Sequence, residues 1–252
     1  MFRALVTLIG VGLYILLTGP FSLLITWIFG TDHFLYSVAR VGARLALRLS
    51  GGTLSIEGQE NLQPRQNYIF MPNHESNVDP VAVFLAIPHD VKAIAKKEFF
   101  RVPLLNMACR LEHFISVDRQ NHESAVESVE QAVKQLEAGD SFLIYPEGTR
   151  TRTGALGAFR KGGFIAAIRS KVPIVPMTVE GCYEMMRKGE FKIVPGKITV
   201  TFHKPIDPSH LTLEDRDTLI LKVRNAIVAG LKEDMASNGA VSSTGAETTE
   251  LT

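Results

Sequence analysis

Cysteine is nearly absent from this chain: Cys109 and Cys182 are the two among 252 residues. They lie far apart and in no CxxC or metal-type spacing, which excludes a disulfide framework and points to a reducing, cytoplasmic setting. Both read as buried structural thiols. An excess of one charge sign is also missing, with 27 Lys and Arg against 26 Asp and Glu. No global field therefore draws the chain to nucleic acid, and no internal repeat is present. The most telling absence is local: Ala4 to Thr31 holds no charged side chain and is dense in Leu, Ile, Val and Phe. That is the composition of a membrane segment. Arg3 is the one basic residue ahead of it and no Ala-x-Ala site follows, so it reads as a retained anchor and not a cleaved signal peptide. Gly19-Pro20 interrupts the run. A helix over Ala4 to Thr18 spans about 22 Å, short of the roughly 30 Å hydrocarbon core. A helix broken there would dip into one leaflet and return; a single kinked span is the other geometry open, since membrane helices tolerate proline.

The next segment, Phe34 to Leu49, repeats Arg40, Arg44 and Arg48 every four residues, with Val38, Val41, Leu45 and Leu49 on another face. A basic amphipathic helix beside an apolar anchor suits anionic headgroups, although a solvated face on an ordinary core helix has the same pattern. From Gly51 the sequence alternates short apolar runs with helical stretches, the pattern of an α/β domain. Strands are expected at 53–57, 67–71, 91–95, 114–117, 141–145, 174–179 and 198–203. Helices are expected at 123–138, where Val126, Val129, Val133 and Leu136 share a face and Gly139 stops it, and at 213–232, opened by a Thr212/Asp215 capping box. The expected organisation is a helical membrane anchor at 1–50, a single α/β domain at 51–235 with a mixed, largely parallel sheet flanked by helices, and a disordered polar tail at 236–252.

Chemistry concentrates at turns. In Asn73-His74-Glu75-Ser76-Asn77-Val78-Asp79-Pro80, a histidine precedes a carboxylate by five residues, between a strand and a helix start with Asp79 as N-cap and Pro80 at the first helical position. In a continuous helix this spacing separates the two side chains by about 140°; at a turn the carboxylate folds back on the imidazole, giving a base and its orienting partner. Taken alone, the pattern fits a cap and a loop histidine far better, since short motifs arise often by chance. Strand 141–145 ends in Pro146-Glu147-Gly148-Thr149-Arg150, followed by the basic turn Arg160-Lys161-Gly162-Gly163 that opens a helix. Helix N-termini and arginine forks favour phosphate. Phe114-Ile115-Ser116-Val117-Asp118-Arg119 delivers a second arginine, and the proline-bracketed Val172-Pro173-Ile174-Val175-Pro176-Met177 suits an edge or irregularly paired strand able to line an acyl groove.

These four blocks in this order resemble the glycerolipid acyltransferases, most closely the bacterial 1-acyl-sn-glycerol-3-phosphate acyltransferases, over about Asn67 to Val179. Lys96-Lys97-Glu98-Phe99-Phe100 is similar to a further family segment, with Phe99 where leucine is usual. His113 stands where the second block usually has glycine. The resemblance implies acyl transfer from acyl-CoA or acyl carrier protein to the sn-2 hydroxyl of lysophosphatidic acid, at the cytoplasmic face of the inner membrane. His74 would be the general base, Asp79 its partner, and Lys96 the oxyanion donor with backbone NH groups near His74 as backup. Asn73, Arg119, Glu147, Gly148, Thr149, Arg150 and Lys161 would hold the acceptor, with Glu147 orienting the cluster. The expected partners are membrane lipids, a lysophospholipid acceptor and the thioester donor.

No GxSxG or Cys-His pairing favours an acyl-enzyme. His74-Glu75 begins like a zinc HExxH helix, but Val78 occupies the position of the second ligand, so no metal and no cofactor is expected. Gly10-Val11-Gly12 lies within the apolar segment and lacks a third glycine. Another lysophospholipid or a lyso-aminolipid would serve the same chemistry as acceptor. A non-catalytic lipid-binding surface protein is the reading from a different class.

Overall fold

The computed structural model describes residues 1–30, 32–118 and 120–231, so Arg119 and the expected tail at 236–252 lie outside the described residues. The chain opens with a helical hairpin, α1 (Phe2–Phe29) and α2 (Asp32–Ser50). Helix α1 is unbroken through Pro20, which overturns the broken-helix geometry. The hydroxyls of Thr18 and Ser22 donate to the carbonyls of Tyr14 and Gly19 in the turns around the proline, and a membrane-type helix tolerates proline. Its 28 residues span about 42 Å. Long and apolar enough to cross a membrane, α1 leaves Leu16, Trp27 and Phe29 exposed.

Small residues let the hairpin close. A Cβ on Gly10 would come within 2.6 Å of Leu49 Cδ1, and one on Gly42 within 2.7 Å of Tyr14. Gly10 is thus a packing position. The expected basic stripe of α2 is also thinner than its sequence. Arg40 donates to the Ile87 carbonyl at 2.6 Å and lies over the rings of Tyr36 and Phe84, which leaves Arg44 and Arg48 exposed.

Seven strands follow: β1 (Gly52–Glu57), β2 (Ile69–Pro72), β3 (Val91–Lys96), β4 (Ile115–Val117), β5 (Ser141–Leu143), β6 (Ile174–Glu180) and β7 (Gly196–Phe202). They form one sheet in the order β1-β7-β6-β2-β5-β3-β4, parallel except where β7 meets β6. Helices α3 (Asp79–Ala86), α4 (Pro103–Leu111), α5 (His122–Glu137), α6 (Gly162–Ser170), α7 (Cys182–Met185) and α8 (Arg216–Gly230) cover it. The Thr212/Asp215 capping box is present.

Alternation along the strands divides the core. Ile69, Met71 and Phe142 face α5, α6 and α8, whereas Phe70, Val175 and Met177 face α2 and α3. The two cysteines are buried. The proline-bracketed strand is central, not an edge. Antiparallel pairing with β7 starts at Met177, and a separate bridge joins Ile174 to Ile206 on the other side of Pro176. The ladder is irregular where the proline has no N–H to give. Within the block expected to line an acyl groove, Ile174, Val175 and Met177 are fully buried in the core, and Pro173 keeps partial exposure.

Helix α4 ends in a Schellman motif. Phe114 N–H donates to the Cys109 carbonyl, His113 N–H donates to Arg110, and His113 adopts φ 55°. The left-handed position explains why glycine suits it, and here histidine accepts the strain.

Candidate active site

Strands β2 and β5 are parallel neighbours, yet the helices that follow them pack on opposite faces, α3 on one and α6 on the other. Such a divergence opens a crevice at the carboxyl ends of the strands. The turn Asn73 to Val78 and the loop from Tyr145 onward meet there. His74 N–H donates to Glu147 Oε1 at 2.8 Å, and Thr151 N–H donates to the His74 carbonyl at 2.9 Å.

The turn is organised around one oxygen. Asp79 Oδ2 accepts from Glu75 N–H at 2.6 Å, from Ser76 N–H at 2.8 Å and from His74 Nδ1 at 2.9 Å. Asp79 is therefore not the helix cap expected from the sequence. As the first residue of α3 it turns its carboxylate backward onto the preceding loop. With two backbone amides already donating to it, Asp79 Oδ2 is an acceptor, and the Nδ1 contact is one in which the imidazole donates and Nε2 keeps its lone pair. The imidazole stacks on Tyr145 with centroids 4.0 Å apart. Its side chain keeps 16% exposure above a fully buried carboxylate.

Asn73 is buried and fully engaged: its amide donates to Val179 O and Glu75 Oε1, both at 2.9 Å, and its oxygen accepts from Val179 N–H at 2.7 Å. It fastens the turn to β6 and has no group left for a substrate. Glu147 likewise uses one oxygen on His74 N–H and the other on Gly157 N–H at 2.7 Å. Burial raises its carboxyl above the ordinary range against the pull of those two donors. Glu75 is raised further, to about 9, by burial and by the neighbouring Asp79 charge. Burial and the Asp79 charge also push the Cys182 thiol up.

The β5 side is open. Gly148 takes φ 68°, a left-handed turn that lifts Thr149 and Arg150 to the rim. Glu147, Thr149, Arg150, Phe159 and Arg160 line an open cavity of about 440 Å³. Arg150 donates to Asn77 Oδ1 across the crevice. Lys188, beyond α7, donates to Thr149 Oγ1 at 3.1 Å and to the Arg150 carbonyl at 2.8 Å.

Two other expected site residues have carboxylate neighbours of their own. Lys96 ends β3 at the same sheet edge, but its amine is half exposed and paired with Glu98 at 3.5 Å. Lys161 is exposed at the start of α6, and its charge acts on Asp217 of α8. Gly162 and Gly163 serve close packing rather than an anion: Cβ atoms there would meet Val129, Ile144 and Met71 at 3.1 to 3.2 Å. The amides of His74, Glu75 and Ser76 are all engaged, which removes them as backup oxyanion donors. Tyr145, Glu75 and Lys188 were not foreseen as parts of the site. Tyr145 and Glu75 sit inside the motif blocks, but Lys188 lies outside them all, where no local signal marks it.

A histidine–aspartate turn facing a cation-rimmed crevice at the carboxyl edge of a mostly parallel sheet defines the class, that of a transferase. The chain belongs to the acyltransferase family, whose family model matches residues 53–180. It is 35% identical over 188 residues to a 1-acyl-sn-glycerol-3-phosphate acyltransferase of Limnanthes douglasii, covering 74% of this chain and 66% of that protein. The corresponding human alpha protein is 27% identical over 186 residues, covering 73% and 66%. The chain thus spans about two thirds of the length of these relatives. It shares its fold with the crystal structure of the 1-acyl-sn-glycerophosphate (LPA) acyltransferase PlsC of Thermotoga maritima, at TM-score 0.79 and 24% identity, covering 92% and 95% of the two chains.

Proposed function

We propose that this protein transfers a fatty acyl group from a thioester to the sn-2 hydroxyl of lysophosphatidic acid, giving phosphatidic acid. The observation that carries the reading is the 2.9 Å contact between His74 Nδ1 and Asp79 Oδ2. With Nδ1–H committed to the carboxylate, Nε2 accepts the proton of the attacking hydroxyl. The oxygen adds to the thioester carbonyl, Asp79 stabilises the imidazolium, and the proton passes to the departing thiolate as the C–S bond breaks. Lys96 is the proposed donor to the tetrahedral oxyanion.

Transfer is direct. Cys182 is fully buried, and the Ser76 hydroxyl is spent on the Met186 carbonyl at 2.6 Å, so neither supplies a nucleophile for an acyl-enzyme. Thr149 and Arg150 bind the acceptor phosphate, joined by Arg119; Glu147, with Gly148 shaping the turn, orients that group. Acyl-CoA or acyl carrier protein is the co-substrate, with no metal or other cofactor. Helix α1 holds the protein at the inner membrane with the crevice on the cytoplasmic side, where thioester donors are found.

The test is purified protein in detergent with one labelled acyl donor and a panel of acceptors. Lysophosphatidic acid should be acylated at least tenfold faster than lysophospholipids with larger headgroups or a monoacylglycerol. Indifference to the acceptor phosphate overturns the assignment.

A further inference from the structure

We infer that Lys188, outside the four sequence blocks, is an acceptor-binding residue that contacts the phosphate beside Arg150. This rests on the proposed lysophosphatidic acid reading and deepens it. The Lys188 ammonium is half-buried and holds two neutral oxygens, Thr149 Oγ1 at 3.1 Å and the Arg150 carbonyl at 2.8 Å. Arg150 in turn donates to the neutral Asn77 Oδ1. Among the described residues neither cation lies within ion-pair range of a carboxylate. The nearby Glu147 has both oxygens on backbone N–H groups. Two adjacent cations with neutral protein partners favour an anion between them.

Donor arithmetic points the same way. An ammonium has three N–H bonds, and two are used. Because Thr149 Oγ1 accepts from lysine, its own O–H is free to donate outward. Lys188, Thr149 and the guanidinium of Arg150 thereby offer three kinds of donor to one phosphate. The neighbouring Thr151 amide is tied to the His74 carbonyl, which fastens this rim to the residue that carries the imidazole. Lys188 reaches the rim because the segment after α7 is pinned: Ser76 Oγ–H donates to Met186 O, and Val194 N–H donates to Met185 O at 3.0 Å.

The experiment measures apparent KM for lysophosphatidic acid and for acyl-CoA in the full-length wild type, Lys188→Met and Lys188→Arg. Methionine keeps the stem without the charge. Lys188→Met is expected to raise the acceptor KM by about 10- to 100-fold, the range of a lost charge-assisted hydrogen bond. The acyl-CoA KM should stay within about twofold, and arginine should restore most of the loss. A purely structural strap would move both KM values together or respond equally to both substitutions, and either result overturns the inference. A wild type that does not prefer a phosphate-bearing acceptor fails the functional reading instead. A wild type that prefers it, with Lys188→Met unchanged, fails only the Lys188 assignment.

Discussion

The two sides of the crevice are built with opposite electrostatics. At its floor three carboxyl groups, Glu75, Asp79 and Glu147, are 2%, 0% and 5% exposed, and their hydrogen-bond donors are backbone amides, the Asn73 amide and one imidazole. At the rim Arg150 and Lys188 sit partly open among neutral oxygens. The acids are not placed to neutralise the cations. One of them, Asp79, turns a single oxygen to three hydrogen-bonding neighbours, while burial moves the other two toward the protonated form. The difference matches the two roles of the proposed function: the floor holds the histidine by backbone and buried groups, and the rim presents cations for the acceptor phosphate.

The sharpest way to break this comparison is His74→Ala. Removing a positioned general base costs about 10²- to 10⁴-fold, so turnover should fall by that factor. The acceptor KM should change little, because the rim is untouched. An equal loss in both would show that the histidine holds the acceptor rather than its proton. Next in size is Arg150→Ala, expected to raise the acceptor KM about tenfold with a smaller change for the thioester. Equal losses for donor and acceptor would dissolve the distinction between floor and rim.

Much of this architecture is readable from local pattern. All seven expected strands form, and the helices at 122–137 and 216–230 follow their apolar stripes. What escapes is whatever depends on partners far along the chain. Asn73 looks like a substrate contact until its bonds to Val179, 106 residues away, are seen. Asp79 looks like a cap because capping and backward acceptance use the same residue type at the same place. Pro173 and Pro176 suggest an edge or an irregular ladder, and only the distant strand partners decide between them: β6 is central and its pairing with β7 is interrupted at Pro176. Pro20 leaves both a break and a continuous span open, since glycine and proline mark the position without choosing between them, and the helix continues. Lys188 reaches Thr149 from 39 positions away, and no spacing rule connects them.

The substitution expected to alter turnover least tests the acidic floor itself. Glu75 carries a carboxyl raised from 4.5 to about 9 by burial and by Asp79, and its Oε2 is buried without a hydrogen-bond partner. Between those two values the folded protein retains a proton that the unfolded chain has released. Folding then takes up a proton, and stability falls as pH rises through that window, by at most about 1.4 kcal/mol per pH unit. Glu147, raised in the same direction, adds to the slope. Glu75→Gln keeps an acceptor for the Asn73 amide and cannot ionise. Thermal unfolding in detergent from pH 5 to pH 8 should therefore show a flatter decline in the variant, with its advantage over the wild type growing toward pH 8. Parallel curves would mean that Glu75 is ionised in the fold, and the floor would then hold two adjacent buried negative charges rather than one.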